Sequence, residues 1–143
     1  MPVYLMNEGD FDIPAGWQDK TVTALVFPEY AASSDASLTV TRDPAAKQSP
    51  SLPAYVDKQL IDMARTCSNF DLVRREDVML HGAQAQSIEY TWRRPDGKYV
   101  RQLQLVTLTS TRDALMFTGT ALADDYPRYQ DVLKRAILSF RFR

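Results

Sequence analysis

Reactive residues are scarce in this 143-residue chain, which holds one histidine (His81), one cysteine (Cys67) and five glycines. A lone cysteine excludes a disulfide framework within the chain, and a Cys/His zinc site needs about four ligands. Any histidine-based catalysis would have to pass through His81. Charge of one sign is also missing: 17 Lys and Arg stand against 18 Asp and Glu, a net charge of −1. Nucleic-acid binders and polybasic membrane-surface binders carry a basic excess, so neither class is expected. No run approaches the ~18 apolar residues of a membrane span. The first ten residues, MPVYLMNEGD, lack the basic start and apolar stretch of a signal peptide. These absences predict a cytoplasmic protein with no metal, no cofactor and no membrane insertion, and they lean away from an enzyme.

What is present reads as one globular domain over residues 1–143, since 45% apolar and 24% charged residues suffice for a single core. Phe11 and Ile13 alternate ahead of a turn at 14–17 that carries Trp17 as an aromatic anchor. Residues 21–27 (TVTALVF) are β-branched and read as a strand, followed by a small-residue loop at 29–35. Residues 36–42 (ASLTVTR) alternate strictly, with Leu38 and Val40 on one side and Ser37, Thr39 and Thr41 on the other. A helix is predicted over 52–67 from the stripe Leu52, Tyr55, Val56, Leu60, Met63 and Cys67, with Ser51 as N-cap. A strand at 70–80 ends at His81-Gly82. Strands at 84–94 and 98–110 form a hairpin about Pro95-Asp96-Gly97, where Pro presets φ and Gly supplies φ > 0. A last strand at 114–121 precedes a second helix from Asp124-Asp125 to about 139. This order predicts an α+β fold: an antiparallel sheet of about six strands with two main helices packed on one face.

Most candidate reactive features have a plain structural reading. His81 precedes a glycine at a strand end, where a turn residue is expected, and no nucleophile or carboxylate stands at a telling distance in sequence. Cys67 falls on the apolar stripe and reads as a buried free thiol. Asp124 and Asp125 suit a helix start, where carboxylates meet free N–H groups and the positive end of the dipole. Arg74-Arg75 and Arg93-Arg94 read as solvated positions at sheet edges. No Gly-rich phosphate loop or nucleophile elbow is present.

One sheet surface is less ordinary. With Leu38, Val40, Leu103 and Leu105 turned to the core, the opposite side carries Ser37, Thr39, Thr41, Gln102 and Gln104 beside Val100, Val106 and Leu108. In the 21–27 strand, Val22, Ala24 and Val26 share a side that alternation alone does not assign. A solvated sheet face normally carries Lys, Glu and Arg, whereas this one is uncharged and half apolar. It fits either a merely Thr-rich exposed face or a surface for an elongated apolar ligand. Gln59 stands on the apolar stripe of the first helix, where its amide needs partners.

The blocks Val3-Tyr4 to Asn7-Glu8, Phe11-Asp12-Ile13-Pro14 with Trp17-Gln18-Asp19, Ser37 to Asp43, Tyr55-Val56 with Gln59-Leu60, His81-Gly82, Glu89-Tyr90-Thr91-Trp92 and Arg101-Gln102 stand in a familiar order. In that order the chain resembles, over nearly its whole length, the DcrB-related family, and within it the Eag chaperones encoded beside type VI secretion effectors. The resemblance implies a Mog1/PsbP-like fold and a cytoplasmic, non-enzymatic chaperone that forms a homodimer. It implies as partner the hydrophobic N-terminal transmembrane segments of a secreted effector of PAAR/Rhs type, with loading on the VgrG spike. The family's effector-binding groove maps onto Val22, Ala24, Ser37, Thr39, Thr41, Gln59 and Gln102, with Ala24 and Thr39 standing where relatives carry bulkier aliphatics. Two other readings fit the residues: a Mog1-like module for a folded protein partner, and a small carrier of lipid or another hydrophobic ligand.

Overall fold

A computed structural model describes residues 3–6, 8–16, 21–26 and 36–143. The expected anchor Trp17, Phe27 and the loop at 29–35 lie outside these residues. The elements in chain order are β1 (Val3–Met6), β2 (Gly9–Asp12), β3 (Thr23–Val26), β4 (Ser37–Asp43), a 3-10 turn (Pro44–Gln48), α1 (Leu52–Thr66), β5 (Ser68–Leu80), β6 (Ala83–Arg93), β7 (Tyr99–Leu108), β8 (Ala114–Leu122) and α2 (Tyr126–Leu138). β1 and β2 pair as a separate hairpin, which the residue pattern did not suggest. The other six strands form one antiparallel sheet in the order β3-β4-β8-β7-β6-β5. No helix among the described residues is long and apolar enough to cross a membrane.

Local chemistry sets the element ends. Ser51 Oγ accepts the Ala54 amide at 3.2 Å and caps α1, and Leu52, Tyr55 and Val56 bury its stripe. Cys67, with extended backbone, ends the helix and lies half-buried rather than fully buried. Between β5 and β6 the two-residue turn takes φ 48° at His81 and φ 89° at Gly82, the left-handed pair that matches strand twist in a tight hairpin. Between β6 and β7, Arg94 N–H donates to the Lys98 carbonyl at 2.9 Å. Asp96 Oδ1 accepts the Lys98 amide at 3.0 Å, and Gly97 has φ 86°. At the start of α2, Asp125 is the N-cap by position but its carboxylate makes no cap bond, so only the dipole part of the expected role is left to it.

The six-stranded sheet and the α+β class agree with the expectation, but the helices do not share a face. One core joins α2 (Tyr126, Tyr129, Leu133, Ile137) to Leu38, Leu103, Leu105, Leu115 and Phe117. The other joins α1 (Leu52, Tyr55, Val56) to Ile88, Tyr90, Val106 and Ala114. Leu115 and Phe117 alternate along β8 with Ala114 and Met116, so the two cores lie on opposite sides of the sheet. The physical reason is visible in β7 and β8, where apolar residues stand in both alternating sets, Leu103, Leu105, Leu115 and Phe117 in one and Val100, Val106, Ala114 and Met116 in the other. A sheet greasy on both faces needs a layer on each. The chain from β4 at one side of the sheet to β5 at the far edge carries α1 across the first face, and α2 returns over the second.

Candidate functional site

Because antiparallel partners point to the same side, strand pairing assigns five of the seven expected groove residues to a face. Ala24 pairs with Thr39, Thr39 with Thr118, and Thr118 with Gln104. One row away, Val26 pairs with Ser37, Ser37 with Thr120, and Thr120 with Gln102. On the other side, Thr41 pairs with Met116, and Met116 with Val106. Ala24, Ser37, Thr39, Thr41 and Gln102 therefore share one face, and the side of β3 that alternation left open is settled by Ala24. Val22 sits just ahead of β3 and is exposed. Four strands at ~4.8 Å give these rows a width of about 14 Å, enough for one helix of ~10 Å diameter. None of the side chains in these rows between β3 and β7 is charged.

This is the face that α1 occupies, and the helix covers only part of it. The Tyr55 hydroxyl donates to Asp43 Oδ2 at 2.6 Å and lies 3.7 Å from Met116 Sδ. These contacts set α1 as a wall beside the Thr41–Met116 row. Gln59, half-buried, follows Tyr55 by one turn on the same flank. Arg75, expected as a solvated cation, instead ties α1 to β5. Its guanidinium donates to Asp57 Oδ1 at 2.5 Å, to the Pro53 carbonyl at 3.1 Å and to Gln86 Oε1 at 2.9 Å.

The floor is a ladder of neutral hydrogen bonds. Gln102 Oε1 accepts Trp92 Nε1–H at 2.8 Å, and its Nε2 donates to Thr120 Oγ1 at 2.8 Å. Gln102 is thus held in place by two neighbours. Gln104 Nε2 donates to Thr118 Oγ1 at 3.0 Å, while its buried Oε1 has no hydrogen-bond partner. Burial, reinforced by the Asp43 bond and charge, pushes the Tyr55 hydroxyl well above the usual tyrosine value, so it remains a donor. Alternation alone sets Gln104 beside Gln102, whereas Thr118 and Thr120 join this face only because β8 lies between β4 and β7.

The scarce reactive residues lie away from these rows. His81 Nε2 donates to the Leu138 carbonyl at 3.2 Å, closing the end of α2. Cys67 Sγ stands 3.9 Å from Thr66 Oγ1 at the end of α1. Among the described residues no group of three or more His, Cys, Asp or Glu is placed to hold a metal. On the far side of the sheet the buried Glu89 carboxylate is held by Arg101 and accepts the Tyr126 hydroxyl at 3.2 Å.

The architecture is that of an α+β domain with one helix layer on each side of a six-stranded sheet and a walled, uncharged strip of that sheet that neither helix covers. The DcrB family model matches residues 8–139. The chain belongs to the DcrB family. It is 28% identical over 137 residues, covering 96% of this chain and 93% of the relative, to the effector EagT6 of Pseudomonas aeruginosa. A crystal structure of a Pseudomonas aeruginosa protein of unknown function is similar at TM-score 0.82 and 27% identity, covering 100% of this chain and 97% of that one. The solution structure of PsbP from Synechocystis matches at TM-score 0.57 and 14% identity, covering 99% of this chain and 92% of that one, a likeness of fold alone.

Proposed function

We propose that this protein is a type VI secretion chaperone: a cytoplasmic, non-enzymatic homodimer that holds the N-terminal transmembrane segments of a PAAR/Rhs-type effector and aids loading on VgrG. The observation that carries the reading is the open strip of Ala24, Ser37, Thr39, Thr41, Thr118, Thr120, Gln102 and Gln104 beside the α1 wall. The likeness to EagT6 adds to it.

A transmembrane helix in water exposes a long apolar surface and aggregates. Covering on the order of 1,000 Å² of it is worth roughly 25 kcal/mol gross, before association and ordering costs. Transmembrane helices pack on one another through small residues that let backbones approach and through hydrogen bonds from Ser, Thr and Gln. The strip offers a bound helix those same contacts. A charged floor would have to be desolvated against lipid-like side chains, at a cost of several kcal/mol per ion. Val22 and Val26 widen the apolar margin at the edge strand, and Gln59 faces the same space from the wall.

The test is capture of the effector's N-terminal segment by the co-expressed chain. Thr39→Arg with Thr118→Arg places two cations mid-floor without touching either core. Capture should fall at least tenfold while the melting temperature stays within a few degrees of wild type. Undiminished capture by that folded variant overturns the reading.

A further inference from the structure

The far side of the sheet holds a cleft that the groove does not use. α2 is drawn tightly onto β8 at Gly119, where an added Cβ would sit 2.9 Å from Leu133 Cδ2. The C-terminal half of the helix borders β5 and β6, and there β6 presents only the small Ser87. The gap that results is about 210 Å³, lined by Val78, Ser87, Leu103, Leu105, Ile137 and Lys134. Lys134 is half-buried and has no ion-pair partner among the described residues. Glu76 also lines the cleft, and its carboxylate lies 3.4 Å from Arg74 Nε in an exposed pair. The far end of the cleft is fixed, because His81 ties the Leu138 carbonyl that closes α2.

A lysine at the edge of an apolar cleft, with no ion-pair partner among the described residues, leaves its ammonium available to an anionic group. An apolar floor below it asks for a ligand that is hydrocarbon at one end and anionic at the other. Pockets that hold drug-sized ligands measure roughly 300–1,000 Å³, so the cleft is too small for such a ligand or for a whole lipid. At ~30 Å³ per water-sized group it takes about seven such groups, a single chain of roughly six to eight carbons. We propose that this cleft binds a short acyl chain ending in a carboxylate, with the chain over Leu103, Leu105 and Ile137 and the carboxylate on Lys134. The site lies on the opposite face from the groove and does not rest on the chaperone reading.

Sodium octanoate titrated into the full chain and followed by amide and methyl NMR tests the assignment, with octanol as the uncharged control. Octanoate should give saturating shifts at Val78, Ser87, Leu105, Lys134 and Ile137 below about 5 mM. Octanol should bind at least tenfold more weakly, and Lys134→Gln should bring octanoate down to the octanol level. Ser87→Leu should fill the cleft and abolish both. Equal binding of octanol, no saturation, or shifts centred on Thr39 and Thr118 overturn the proposal. Effector capture by Lys134→Gln should match wild type, which separates this site from the groove.

Discussion

Replacing Gln104 by leucine should make the protein more stable and worse at its proposed task. The Oε1 of Gln104 is buried without a hydrogen-bond partner, and its Nε2 makes one bond, to Thr118 Oγ1 at 3.0 Å. An orphaned buried acceptor costs about 1–3 kcal/mol, whereas one neutral side-chain bond contributes about 1 kcal/mol. Leucine removes both, leaves the Thr118 hydroxyl free to rotate, and adds apolar contact beside Ile88, the residue that pairs with Gln104 on β6. The balance favours the variant by about 1 kcal/mol, or a melting temperature raised by about 3 °C for a domain of this size. Urea unfolding followed by circular dichroism gives the difference directly. Capture of the effector segment should fall severalfold, because the Thr118 hydroxyl in the floor loses the Gln104 donor that fixes its direction toward a bound helix. This is the exchange of stability for function expected at a binding site. Destabilisation by more than about 1 kcal/mol would show that the acceptor is satisfied, refuting the energetic premise. A stabilised variant with full capture would remove Gln104 from the groove.

Three further outcomes follow from other parts of the fold. Arg101→Met should cost about 3–5 kcal/mol in urea denaturation, because it strands a Glu89 carboxylate whose side chain is 3% exposed. Adding Glu89→Gln should recover part of that loss, and strict additivity of the two would contradict the pairing. Gly119→Val should destabilise by about 1–3 kcal/mol through the clash with Leu133, with partial relief when Leu133→Ala is added. Tyr55, Tyr90 and Tyr126 are each held well above the usual value of 10.0, first by burial and then by the charges of Asp43, Cys67 and Glu89 respectively. Their unfolded forms ionise first, so the stability they contribute is whole below pH ~10 and is lost as pH rises beyond it. The phenolate absorbance of these three should therefore appear together with unfolding rather than before it, and ionisation of all seven tyrosines in a folded chain would contradict the burial.

How much of the groove was legible depended on the element. Ser37, Thr39 and Thr41 could be grouped because they alternate with Leu38 and Val40 in a strand of unambiguous period. The hairpin at Pro95-Asp96-Gly97 was equally plain, since Pro and Gly act through local dihedral preferences that need no partner. The Asp125 carboxylate and the Arg75 guanidinium were misjudged because their roles depend on what lies nearby in space. Arg75 reaches Asp57, 18 positions away in sequence, and no local pattern announces that contact.

The sequence by itself determined the two helices, the six main strands and the poverty of reactive groups, all of which rest on composition and on periods of 3.6 or 2 residues. The tertiary structure decided which strands are neighbours and which faces the helices take. Alternation places a side chain on one of two sides but does not order the strands, so it could not reveal that β8 inserts Thr118 and Thr120 between Thr39 and Ser37 on one side and the glutamines on the other. Nor could it move α1 to that face, although the doubly apolar β7 and β8 demanded cover on both. Long-range pairing and layer order are set by burying both apolar faces at once, a condition no single segment can express.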